Sequence, residues 1–207
     1  MPSQIAPDDL KKDDLKKIEE GIRIKYKQVA NSPEGQFKYP TGKKGLETLH
    51  YDRTMIENLP NAVASSYCGV GNPFSAAKID KGEQVLDVGC GAGVDAIIAA
   101  MMTGPTGHVV GVDIVPEMIE TAESNLKMTD QEHVAFQKTS GENLPFPDKT
   151  FDIVISNGVI NLIPDKERAL GEIFRVLKPG GRLSVADQAA SGAVQKDIKA
   201  CLANWFQ

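Results

Sequence analysis

Apolar residues follow two rhythms along this chain, and the change of rhythm divides it. Over residues 8–30, Leu15, Ile18, Ile22, Tyr26 and Val29 recur at helical spacing, with Lys, Asp and Glu on the other faces. That is the pattern of one amphipathic helix, with Asp8 as its candidate N-cap. The helix serves either as a packing element or as a lid over a site. From residue 83 onward, short apolar blocks alternate with helical stretches. Val85, Leu86 and Val88 suit a strand buried on both faces, and residues 95–102 are a run of helix formers. Residues 108–113, 134–137, 151–157 and 182–187 read as four further strands. Helices are predicted from Pro116 and over 165–177, the latter with Ala169, Leu170, Ile173, Phe174 and Leu177 as its apolar face. A last helix over 193–206 carries Val194, Ile198, Leu202 and Trp205 in one stripe. This alternation predicts an α/β fold with a doubly wound, mostly parallel sheet, right-handed crossovers and a ligand at the switch point.

The stretches between these blocks are punctuated differently. Residues 31–45 are rich in Pro, Gly, Asn and Ser, which set turns rather than build a core. Residues 46–59 predict a short helix ending before Pro60, and 63–73 an irregular loop with Gly69 and Gly71 around Val70. Residues 139–148 form another loop, broken by Pro145 and Pro147. The chain thus divides into a helical cap, 1–72, through which substrate reaches the site, and an α/β domain, 73–207.

The chemistry concentrates where the first strand ends. Gly89, Gly91 and Gly93 stand at alternate positions before a helix, so bare backbone is offered to a ligand. A dinucleotide fingerprint needs its third glycine one place later, where Val94 stands. Asp87 would also repel a pyrophosphate. A ligand carrying an ammonium or sulfonium group fits better, and S-adenosylmethionine has both and no phosphate. Asp113 closes the second strand roughly 20 residues further on, where an acid takes the hydroxyls of a ribose.

Composition narrows the partners. With 41% hydrophobic and 25% charged residues the chain is globular, and a net charge of −5 without a basic block argues against nucleic acid. No apolar run reaches membrane-span length, and the N-terminus lacks a signal peptide's apolar core. Cys68, Cys90 and Cys201 make no disulfide framework, so a cytoplasmic setting is expected. His50, His108 and His133 have no ligand partner at motif spacing, so no metal site is expected; His108 and His133 read as surface residues, and the set His50-Tyr51-Asp52 as core or solvated.

Five segments together resemble the class I S-adenosylmethionine-dependent methyltransferases: residues 85–93, 111–118, 144–148, 151–157 and 175–183, in that family's order. The resemblance implies a Rossmann-like sheet of order 3-2-1-4-5 and a cofactor-binding domain over 73–207. The contacts it implies fall on Asp87, Gly89, Cys90, Gly91 and Gly93 in the first loop, then Asp113, Ile114 and Met118. Gly141 and Glu142 would cover adenine, and Asn157 and Gly158 would line the methionine side. Thr139-Ser140-Gly141 departs from the family's usual acid there, so the adenine amino group's partner is absent or is the Ser140 hydroxyl.

Within that family the chain is similar to arsenite methyltransferases, through Ser-Asn-Gly-Val-Ile-Asn-Leu-Ile-Pro-Asp-Lys (156–166) and Gly-Val-Gly-Asn-Pro (69–73). Two arsenic-binding cysteines of those enzymes are replaced by Gly158 and Val70. Cys68 and Cys201 are either small packing residues or, with Tyr67, acceptor-site candidates. The expected activity is methyl transfer to a small molecule or metalloid. Carbon methylation in quinone biosynthesis and a non-catalytic cofactor-binding module are the alternatives. The resemblance also implies a C-terminal antiparallel hairpin that is missing here, leaving the fifth strand as an edge to be covered by the cap and last helix or by a second subunit in a homodimer.

Overall fold

A computed structural model describes residues 12–189 of the protein. Strands β1 (Gln84–Val88), β2 (His108–Asp113), β3 (Val134–Lys138), β4 (Phe151–Asn157) and β5 (Leu177–Ala186) form one sheet. They are parallel throughout, in the order β3-β2-β1-β4-β5. The order reverses beside β1, so the crevice beyond the carboxyl ends of β1 and β4 is where such a sheet takes a ligand. Ahead of the sheet come α1 (Lys12–Asn31), α2 (Gly42–Thr48), α3 (Arg53–Asn58) and α4 (Asn61–Ser65); α5 (Val94–Thr103), α6 (Pro116–Leu126) and α7 (Lys166–Val176) are the crossovers.

The central strands are continuous apolar runs because both faces are covered. Ile153 and Ile155 pack on the α5 side with Val85 and Val109, and Leu86 and Val154 on the α7 side with Ile173 and Val176. The short helices before the sheet share a core with α5, in which Leu46, Tyr51, Val63 and Tyr67 meet Val94, Ile97 and Ile98. α1 lies on α6, tied by Lys27 to Glu117 at 3.0 Å and by the Thr121 hydroxyl to the Ala30 carbonyl at 3.3 Å. The proline-broken loop 139–148 is held by Arg175. Its guanidinium pairs with Glu172 and donates to the carbonyls of Leu144 and Phe146 at 2.9 and 2.7 Å.

Several elements differ from the expectation. Residues 46–59 hold two helices rather than one. The chain reverses at His50, in the left-handed region at φ 56°, and Asp52 caps α3 by accepting the N–H groups of Thr54 and Met55. The loop expected over 63–73 begins inside α4 and ends in a 3-10 turn at Pro73–Ser75. β5 begins at Leu177, with its pairing to β4 shifted between Phe151 and Ile153, so the Lys178–Gly181 turn is an irregularity of the strand. On α7 the inward face is Ala169, Ile173 and Val176. Leu170 and Phe174 sit one residue round the helix and are 42% and 81% exposed. His133 is half-buried rather than at the surface, its Nε2 3.1 Å from the Ala100 carbonyl. The Asp8 cap, the helix over 193–206 and the question of a hairpin lie outside the described residues.

Two glycines give opposite expectations. Gly93 is left-handed (φ 80°), and a Cβ there would come 2.6 Å from the Phe136 ring. Gly93→Ala should cost about 2–4 kcal/mol, from backbone strain plus overpacking. Gly171 lies inside α7 with nothing within 4 Å of a built Cβ. Gly171→Ala should stabilise by about 0.5–1 kcal/mol. Urea unfolding of both variants beside the parent checks the signs.

Candidate active site

The turn after β1 is built from backbone. The N–H groups of Gly89 and Cys90 both bond the Val112 carbonyl, at 2.7 and 2.9 Å. The Gly91 N–H donates to Asp113 Oδ2 at 2.9 Å, and Asp113 Oδ1 accepts the Val115 N–H at 2.9 Å. One carboxylate therefore locks the first turn to the exit of β2. At Gly91 (φ 51°) a Cβ would meet nothing nearer than Met118 Sδ at 4.0 Å, so the backbone there is bare on its open side.

A cleft runs across this turn. Among the residues singled out from sequence, Gly89, Gly91, Asp113 and Ile114 line one part of it, and Gly141, Glu142, Asn157, Gly158 and Cys68 another. The other members sit behind the wall. Asp87 is buried under the turn, with its Oδ2 lacking a hydrogen-bond partner among the described residues. Cys90 turns its sulfur toward β2, where a Cβ on Gly111 would lie 2.9 Å from it. Gly93 backs onto Phe136, and Met118 lies fully buried beneath Gly91. The Ser140 hydroxyl is engaged locally, accepting the Glu142 N–H at 3.2 Å and lying 3.3 Å from Glu142 Oε2. Cys201 lies outside the described residues.

At the exit of β4 the Asn157 amide organises a buried polar cluster. Its Oδ1 accepts the N–H groups of Val70 and Gly71, at 2.9 and 3.1 Å. Its Nδ2 donates to the Gly71 carbonyl at 2.8 Å and to Asp95 Oδ2 at 2.9 Å. Tyr51 donates to Asp95 Oδ1 at 2.8 Å, and Tyr67 to the Gly71 carbonyl at 2.8 Å. Tyr67 is therefore a member of this cluster, buried and facing Gly71 and Asn157. Beside it, Val70 and Gly158 are in contact: a Cβ on Gly158 would come 3.3 Å from both Val70 methyls.

Three carboxyls crowd this end of the sheet. Burial pushes Asp95 up to about 6, against the pull of the hydrogen bonds from Asn157 and Tyr51. Burial also raises Asp113, opposed by the N–H groups of Val115, Gly91 and Ile114. Asp87 is raised further, by burial first and then by the charges of Asp95 and Asp113. The Cys68 thiol is pushed up to about 12, by burial and then by Asp113 and Asp95, so it stays protonated near neutrality.

From above, Glu19, Ile22 and Tyr26 of α1 close the cleft. A second chamber opens next to it, sharing Tyr26, Tyr39, Val70, Gly158 and Leu162 as a common wall. Phe37 and Tyr39 stack there, centroids 5.0 Å apart and planes at 28°, with Tyr26 tilted against Phe37 at 6.4 Å. Sequence reasoning did not single out Asp95, Lys25, Phe37 or Tyr39 as site residues. The signal available for the last two was a pair of aromatics within an otherwise turn-forming segment.

Comparison with known proteins agrees with this geometry. The family described as "Methyltransferase domain" matches residues 79–206. An arsenite methyltransferase of Halobacterium salinarum is 40% identical over 159 residues, covering 77% of this chain and 40% of that protein. A demethylmenaquinone methyltransferase of Listeria welshimeri is 38% identical over 110 residues, 53% of this chain and 47% of that protein. The arsenic(III) S-adenosylmethionine methyltransferase of Chlamydomonas reinhardtii superposes with a TM-score of 0.55 at 34% identity, over 72% of this chain and 50% of that one. The chain spans less than half the length of these two curated relatives. With that family matched over more than half its length and the β1 turn, β2 acid and switch-point cleft assembled at one end of the sheet, the chain belongs to the methyltransferase-domain family.

Proposed function

We propose that the protein transfers a methyl group from S-adenosylmethionine to a small molecule or metalloid. The observation that carries this reading is a cleft with bare glycine backbone on one wall and Asp87, Asp95 and Asp113 concentrated behind and beside it. Acids raised by desolvation, and in Asp87 also by the charges of Asp95 and Asp113, suit a ligand that brings positive charge. The residues fit the nucleoside too. Asp113 accepts the N–H groups of Gly91 and Val115 and, as a carboxylate, keeps acceptor capacity for a diol. Gly141 and Glu142 lie on the cleft wall carried by the loop that Arg175 anchors.

When bound, S-adenosylmethionine supplies an electrophilic methyl group on a sulfonium centre. The chain's own contribution is position and exclusion of water. Asn157 fixes the 69–71 backbone against the exit of β4. Tyr26 and Tyr39, with Val70 and Gly158, form the partition between cleft and second chamber, where an acceptor would meet the methyl group. A second reading, carbon methylation of a quinone-type ring, is favoured by the Val70–Gly158 contact, which puts apolar groups where arsenite methyltransferases carry thiols.

Two measurements test the cofactor assignment. Asp113→Ala should abolish S-adenosylmethionine binding in calorimetry while the variant remains folded; unchanged affinity would remove the assignment. The second concerns pH. Asp95 is raised from its ordinary 3.8 to about 6, so its contribution to stability is present below 3.8 and is lost as pH rises through about 6. A bound cation favours the ionised carboxyl, so affinity should run the other way. It should weaken as pH falls through about 6, by up to about tenfold per pH unit for one coupled proton. Calorimetry and melting curves between about pH 7.5 and about pH 5 check both slopes.

A further inference from the structure

We infer that the Tyr26 hydroxyl is the side-chain donor for the carboxylate at the amino-acid end of the cofactor. Such a role rests on the methyltransferase reading and gives α1 a part in recognising one functional group of S-adenosylmethionine.

S-adenosylmethionine brings a carboxylate as well as an ammonium and a sulfonium. Asp87, Asp95 and Asp113 suit the two cationic groups and repel the anionic one. The carboxylate therefore needs a hydrogen-bond donor within the cleft. Among the described residues no Lys, Arg or His lines that cleft. The turn after β1 has little left to give. Its Gly89 and Cys90 N–H groups go to the Val112 carbonyl, and that of Gly91 goes to Asp113. Side chains on the wall are committed too. Tyr39 donates to the Cys68 carbonyl at 3.1 Å and Thr139 to the Asn143 carbonyl at 2.9 Å, while the Asn157 amide serves Gly71 and Asp95. The Ser140 hydroxyl is held by Glu142, and a thiol such as that of Cys68 is a weak donor.

Tyr26 differs from all of these. Its ring is fixed: it packs on the apolar cluster of Val29, Ala92, Val115 and Met118 and meets Phe37 with centroids 6.4 Å apart. Next along α1, Lys27 and Ala30 moor the helix to Glu117 and Thr121 of α6. The Tyr26 hydroxyl, by contrast, makes no hydrogen bond to the described residues. Tyr26 is half-buried and lines both the cleft and the second chamber, so an unclaimed O–H stands on the wall that they share. Burial raises this hydroxyl above its ordinary value, followed by the charges of Cys68, Tyr39, Asp113 and Asp187, so it keeps its proton across the neutral range. Neither acid takes that proton. Asp113 accepts from Gly91 and Val115, and Asp187 from Asn161 and Gln188. With Asp113 serving the ribose diol, the carboxylate is the cofactor group still without a partner, and Tyr26 is the strong side-chain donor still without an acceptor.

Two ligands isolate the carboxylate: S-adenosylhomocysteine, and S-adenosyl-3-thiopropylamine, which lacks that group alone. Each is titrated by calorimetry into the full chain and into Tyr26→Phe, and melting curves are recorded with and without ligand. Tyr26→Phe should weaken S-adenosylhomocysteine about tenfold or more, the scale of a hydrogen bond to a charged group, and leave the amine within about twofold. The melting temperature without ligand should not change, because the hydroxyl has no protein partner to lose. Tyr39→Phe removes a hydroxyl bonded to the Cys68 carbonyl, so it should lower the melting temperature and not discriminate between the ligands. Equal weakening of both ligands by Tyr26→Phe, unchanged S-adenosylhomocysteine affinity, or discrimination by Tyr39→Phe instead would overturn the inference and leave the methyltransferase reading standing. A parent chain that binds neither ligand would overturn that reading and the inference with it.

Discussion

The site depends on one side-chain amide. Asn157 stands at the exit of β4, and both ends of its amide are used on the chain segment that precedes the sheet. The carbonyl end takes the Val70 and Gly71 N–H groups, and the nitrogen end reaches the Gly71 carbonyl and Asp95. Gly69 has to be glycine for this fit, because a Cβ there would fall on the Asn157 amide nitrogen. The loop carrying Cys68 and Val70 is thus placed over the switch-point crevice by a buried polar contact. Aspartate at 157 could not donate to Asp95 or to the Gly71 carbonyl. An apolar side chain would leave two backbone N–H groups and the Asp95 carboxylate short of partners. The apolar core shared by α2–α4 and α5 brings the segments together, and the amide sets their relative position.

That arrangement carries an electrostatic cost. Asp87 and Asp95 are buried and Asp113 is half-buried, and one Asp87 oxygen has no hydrogen-bond partner among the described residues. Unpaired buried charge is destabilising, and no cationic side chain among the described residues is a leading cause of the shifts at Asp87 and Asp95. Acidic groups are therefore concentrated at this end of the sheet, which is what the proposed cationic ligand requires. The same field raises the Cys68 thiol and suppresses its thiolate, so the charge arrangement that suits a sulfonium ligand works against a nucleophilic or metal-binding sulfur close by. A chain that placed thiolates here would need a compensating charge, and among the described residues Lys25 pulls Cys68 back down.

How much of this was legible depended on distance along the chain. The sheet, its order and the acid at Asp113 follow from local signals: continuous apolar blocks, glycines at turns, and an acid at a strand's end. The cleft residues Gly89, Gly91, Asp113, Gly141 and Asn157 lie on those same blocks. Asp87 carried the motif's acid, yet the strand's alternation turns its side chain into the packing behind the turn rather than into the cleft. The Asp95–Tyr51–Tyr67–Asn157 cluster joins positions separated by as much as 106 residues, and no local pattern encodes such a contact. Tyr26 counted correctly as part of α1's apolar face, but that face is divided between packing on Val115 and Met118 and closing the cleft. Leu170 and Phe174 were misassigned because periodicity specifies a stripe and leaves its centre open by a residue either way.

The Val70–Gly158 contact bears on how this chain relates to the arsenite methyltransferases it resembles. The two positions that depart from the arsenic-binding pattern touch each other, so they form one local arrangement rather than two scattered changes. Gly158 sits at φ 76° and donates its N–H to the Ala186 carbonyl at 2.8 Å. Any side chain there meets both backbone strain and the Val70 methyls. A thiol at 158 with Val70 retained would be crowded, and a thiol at 70 with Gly158 retained would lack its partner. As an apolar side chain beside bare backbone, the pair is self-consistent. It forms that part of the partition, between the acids on the cofactor side and the aromatic rings and lysines on the other. A wall of that composition offers shape and apolar surface and no thiol of its own.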